Sequence, residues 1–110
     1  MTAVVMSTEV SARRRQEQMR VIAASELGLD KLAGLVATAK AENDHLALGY
    51  RSWTEYLAET LGQTPLRLDR DERREVVALL AGEGMSTRAI APIVGASKDT
   101  VHRDLVQVSH

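Results

Sequence analysis

Lys98, Asp99, His102 and Arg103 are spaced so that an α-helix would carry all four on one side, near the helix start. Their chemistry is that of base-edge recognition in the major groove. Arg and Lys donate to the O6 and N7 acceptors of guanine, a carboxylate accepts from the cytosine amino group, and one good bidentate contact discriminates by about 1–3 kcal/mol. Arg103 is the first choice for a base contact. Lys98 and His102 can reach a base edge or a phosphate, and Asp99 can accept from cytosine. Ser86, Thr87, Arg88, Ser97 and Thr100 stand at expected helix N-termini, where hydroxyls and backbone amides bind phosphate oxygens and fix register without reading sequence.

No constellation of equal clarity points to catalysis or to a metal. The chain has no Cys, which excludes a disulfide framework and cysteine-based zinc fingers and is consistent with a reducing cytosol. His45, His102 and His110 lack Asp, Glu or Cys partners at ligand spacing. There is no nucleophile-and-arginine set, and 110 residues leave no room for a recombinase catalytic domain beside the elements below. The expectation is a non-enzymatic protein without cofactors. No apolar run is long enough to cross a bilayer, and Ala3-Val4-Val5-Met6 precedes Arg13-Arg14-Arg15, the reverse of secretory order. A soluble, cytoplasmic protein of a bacterial cell, associated with the nucleoid, is expected.

The elements that must position these residues are helical, and no segment reads as a strand. With 45% hydrophobic but only 3% aromatic residues and no Phe, the core must be built from Leu, Val, Ile, Ala and Met, which suits packed helices. The expected class is all-α, with an N-terminal helical segment followed by a three-helix helix-turn-helix domain. Residues 1–28 read as a basic helix or arm, because Met19, Val21 and Ile22 make only a weak stripe among Arg13, Arg14, Arg15 and Arg20. Residues 29–65 read as a helical subdomain. In it Asp30 is the expected N-cap, with Leu32, Leu35, Val36 and Ala39 on one face. Ser52 and Glu55 have capping-box spacing before a helix from Trp53 to Leu61, which Gly62 stops, and Trp53, Tyr56, Leu57 and Leu61 form its packing face.

Residues 66–110 are the expected DNA-binding domain. Asp69 and Glu72 repeat the capping pattern before Val76, Val77, Leu79 and Leu80, and Gly82-Glu83-Gly84 ends that helix. Ser86 caps a short helix to Val94, in which Ala91 allows close crossing. Gly95 can take the left-handed conformation of a tight turn. Ser97 then caps a reading helix over 97–106, held from behind by Val101 and Leu105.

The run 68–105, LDRDERREVVALLAGEGMSTRAIAPIVGASKDTVHRDL, resembles the three-helix DNA-binding domains of resolvase-type and partition-protein-type regulators. The upstream ALGYRSWTEYL, 47–57, resembles a segment that accompanies such domains in actinobacterial and actinobacteriophage proteins. Together they look most like the N-terminal part of a temperate actinobacteriophage immunity repressor. That resemblance implies repression of phage lytic promoters and, in some members, binding to asymmetric sites without an obligatory dimer. Pro92 departs from the pattern by removing a backbone hydrogen bond inside the first motif helix.

Charge complicates this reading. The whole chain has a formal charge of -1, and Asp99 and Asp104 bring carboxylates close to the expected DNA face. A second contact surface is therefore expected, with Arg13, Arg14 and Arg15 as a possible DNA arm. The partner is double-stranded DNA, bound by a homodimer or by a monomer with a further C-terminal DNA-binding domain absent from this chain. Two other functions share these features. An excisionase or partition factor would need nearly the same reading head, while a helical protein-interaction module would favour an exposed Trp53.

Overall fold

Capping chemistry sets most of the helix boundaries. The computed structural model describes residues 8–23, 29–62, 66 and 68–108, and these contain seven helices and no strand. They are α1 (Glu9–Ala23), α2 (Leu29–Ala41), α3 (Asp44–Ala47), α4 (Trp53–Leu61), α5 (Arg70–Gly82), α6 (Thr87–Val94) and α7 (Lys98–Val108). Ser52 Oγ accepts from the Glu55 amide at the start of α4. Asp69 and Glu72 form a reciprocal capping box on α5, satisfying two amide donors that the helix itself leaves unpaired.

Asp30 and α3 depart from expectation, while Gly62 stops α4 as expected but for a different reason. Asp30 lies inside the first turn of α2, which already begins at Leu29; there its charge complements the helix dipole. Gly62 closes α4 with φ -86, so positive φ is not the reason for glycine. A Cβ at this position would stand 2.4 Å from the Ala58 carbonyl oxygen, which is the constraint instead. The short α3 was not foreseen; it follows Asn43, whose left-handed backbone (φ 54) turns the chain sharply after α2.

One cluster of buried side chains runs through the described residues. It includes Met19 of α1, Leu32 and Val36 of α2, Tyr56 and Leu57 of α4, Val77 and Leu80 of α5, Ile90 and Ile93 of α6, and Val101 of α7. Helix α1 packs on α2, α3 and α4, whereas α5, α6 and α7 pack pairwise on one another. The two groups meet where α4 touches α6 and α2 touches α5. The Trp53 indole N–H donates to Glu83 at 2.9 Å, and Lys40 reaches the same carboxylate oxygen at 3.2 Å. The Leu66 amide donates to the Ile93 carbonyl at 2.8 Å, fastening the connecting segment to the end of α6.

Of the two readings of 1–28, a basic helix or an arm, residues 9–23 form the helix α1, and it is packed into the fold rather than peripheral. Ala12, Gln16 and Met19 are buried, and Gln16 Nε2 donates to Tyr50 Oη at 3.1 Å and Thr60 Oγ1 at 3.0 Å. An inward-facing amide weakens the apolar stripe in sequence without weakening the packing, because its donors are satisfied by other helices.

Candidate nucleic-acid interface

Helix α7 is seated from behind and open in front. Val101 is fully buried, Leu105 packs partly against the core, and Asp104 is buried beside them. Lys98, Asp99, His102, Arg103, Val106 and Gln107 are all exposed. The four residues expected to contact bases therefore share one solvent-facing side. None of the four forms a hydrogen bond or ion pair with another described side chain. Their polar groups remain available to an outside partner.

The turn before α7 fixes where that face begins. Ser86 Oγ accepts from the Ala89 amide and caps α6, whose close is Gly95 at φ 66, ψ 33, with the Gly95 amide donating to the Ala91 carbonyl. The left-handed conformation is expensive for residues with a Cβ, which accounts for glycine here. Ser97 Oγ then accepts from the Thr100 amide at 3.2 Å and lies 3.0 Å from Thr100 Oγ1. Ser86 and Ser97 are exposed, so their oxygens remain on the surface while capping; Thr87 and Thr100 are half-buried and Arg88 is exposed. Pro92 lies inside α6 on its exposed side, where it supplies no amide donor to the helix.

Asp104 requires a correction. Instead of adding negative charge to the outer face, it is 2% exposed and turned toward α5. Arg73 holds it through two contacts, Nε to Oδ2 at 2.6 Å and Nη2 to Oδ1 at 3.1 Å, and Arg74 Nε adds a third at 3.3 Å. The hydrogen bonds from Arg73 keep the Asp104 carboxyl below its usual range against the opposing effect of burial, and Asp104 in turn raises the Arg73 guanidinium. This clamp ties α7 to α5. It also takes Arg73 and Arg74 out of the supply of free cations. On α6 and α7 together, Arg88, Lys98 and Arg103 then face Asp99 as the one exposed carboxylate.

The proposed arm is corrected as well. Arg15 is not displayed: its Nε lies 2.6 Å from Asp44 Oδ2, it also pairs with Glu42, and Asp44 itself is fully buried. The Asp44 hydrogen bond raises the Arg15 guanidinium further. Arg13 and Arg14 are exposed, but on a helix packed into the core, and Arg13 lies 3.5 Å from Glu9. Three consecutive arginines cannot point the same way on a helix. They form no continuous cationic arm.

Trp53 is half-buried. It stacks on Tyr56 with ring centroids 5.3 Å apart and meets His45 edge-on at 5.6 Å. Its indole N–H is occupied by Glu83, so the aromatic group acts as a plug between α3, α4 and α5. Burial pushes the Tyr56 phenol up to about 12. Among the described residues, no group of His, Asp and Glu is arranged to hold a metal ion, and no helix is long and apolar enough to cross a membrane. No protein-family model, curated protein or solved structure matches the chain.

Proposed function

We propose that the chain is a sequence-specific double-stranded DNA-binding regulator, a repressor, in which α6 and α7 form a helix-turn-helix and α7 enters the major groove. The observation that carries this reading is the division of α7. Val101 and Asp104 tie one side down, while Lys98, Asp99, His102 and Arg103 stand together on the other with no partner among the described residues.

In this mechanism Arg103 donates to guanine O6 and N7, and Lys98 and His102 reach neighbouring base edges or phosphates. Asp99 accepts from cytosine and disfavours bases that offer only acceptors at that place. Ser86, Thr87, Arg88, Ser97 and Thr100 position the reading head on the phosphate backbone through hydroxyls, the guanidinium and the open amides of two helix starts. With only Arg88, Lys98 and Arg103 as exposed cations on α6 and α7, binding depends more on base contacts than on phosphate neutralisation, so its salt dependence is shallow.

Selection from a random duplex library at moderate salt, followed by titration of the best site against scrambled DNA, tests the reading. One enriched motif, with scrambled DNA bound far more weakly, is expected. Absence of enrichment would overturn it in favour of a protein-interaction module. A single site overlapping a promoter is expected of a repressor, whereas clusters at an attachment or partition site would replace repression with the excisionase or partition role.

A further inference from the structure

The outward face of α1 is complementary to itself. At 3.6 residues per turn, Val10, Arg14, Glu17 and Val21 fall within an arc of about 60°, directly opposite the buried Ala12, Gln16 and Met19. Val10 is 69% and Val21 62% exposed, the two most exposed large apolar side chains among the described residues. Along this face the order is apolar, basic, acidic, apolar. An antiparallel copy of the helix, related by a twofold axis between residues 15 and 16, sets Val10 against the partner's Val21 and Arg14 against the partner's Glu17. The symmetry generates each contact twice. A parallel copy would instead put like charges side by side.

The surroundings fit the same arrangement. Beside Val21 an open apolar groove of about 540 Å³ runs between α1 and α2, lined by Ile22, Gly34 and Leu35 among others. Gly34 leaves its floor clear, since nothing lies within 4 Å of where its Cβ would be. The partner's Val10 arrives at this end of α1. Arg14 makes no ion pair or hydrogen bond with the described residues, and Glu17 is engaged only by Arg20 on the surface at 2.9 Å. Helix α1 packs on α2, α3 and α4, whereas α7 packs on α5 and α6.

We propose that α1 is a homodimerisation surface that pairs antiparallel with α1 of a second copy of this chain, with Arg14 and Glu17 as the specificity-setting charges. One helix face against another buries less than a large obligate interface, so the dimer is concentration-dependent. The proposal does not depend on the DNA-binding reading.

Sedimentation equilibrium without DNA, from about 10 μM to about 1 mM protein, spans the range in which such an interface operates. The unaltered chain should associate to dimers. Arg14→Glu and Glu17→Arg should each weaken association about tenfold, because each puts two like-charge pairs across the axis in place of two opposite ones. The double exchange Arg14→Glu/Glu17→Arg reinstates opposite charges with reversed polarity and should return to within about threefold of the original. Circular dichroism should show equal helix content throughout, as both positions are exposed. A chain monomeric at the highest concentration, single variants that associate normally, or a double exchange as weak as the singles would each overturn the proposal.

Discussion

Replacing Asp104 by Asn tests whether the carboxylate clamp sets the position of α7. The change keeps the shape and one acceptor but removes the charge that faces Arg73 and Arg74. Taking one partner from a buried ion pair costs about 3–5 kcal/mol when both sides are shielded. Here the Asp104 side chain is 3% exposed, but those of Arg73 and Arg74 are 23% and 30% exposed, so water can compensate part of the loss. The expected destabilisation is about 2–3 kcal/mol, a fall in Tm of about 8–12 °C for a domain of this size. Thermal unfolding by circular dichroism at neutral pH measures it. A second signature is pH dependence. Arg73 holds the folded-state carboxyl below its unfolded value of about 3.9, so this stabilisation is present above pH ~4 and is lost as pH falls below it. The Asn variant should lack that acid slope. A loss below about 0.5 kcal/mol, within the range of an exposed ion pair, or an unchanged acid slope, would refute the clamp.

Three further outcomes are expected. Gly95→Val should destabilise by about 2 kcal/mol or more, because a β-branched residue resists φ 66, whereas Gly95→Asn should retain most of the stability; chemical denaturation separates the two. Tyr56 stays protonated in the folded protein up to about 12 while the unfolded phenol ionises near 10, so stability should fall by about 3 kcal/mol between those pH values, a slope that Tyr56→Phe should flatten in alkaline denaturation. Under the DNA-binding proposal, Arg103→Ala should leave Tm unchanged, weaken the selected site by about 1–3 kcal/mol and relax preference at one base pair; an unchanged selection profile would remove Arg103 from the interface.

The local chemistry was readable wherever it depends on neighbours within one or two turns. Ser52, Asp69, Ser86 and Ser97 cap the helices expected of them, Gly95 adopts the left-handed turn, and the apolar spacing in α2, α4 and α5 marks their buried sides. The same periodicity put Lys98, Asp99, His102 and Arg103 on one outer face. Asp30 shows the limit even for local signals, since a good capping residue lies one position inside a helix that starts earlier.

The sequence by itself determined an all-helical chain, most of its helix boundaries and the outward side of α7, because caps, turns and helical period are properties of adjacent residues. Tertiary structure alone decided which charged and polar residues are spent inside the molecule. Arg15 finds Asp44, Gln16 finds Thr60, and Asp104 finds Arg73, partners about 30 to 45 positions away in the chain. In one dimension Arg15 and Asp104 read as groups facing DNA. Only folding brings their partners within hydrogen-bond distance, and burial of a charge or amide is tolerable only when that partner is present.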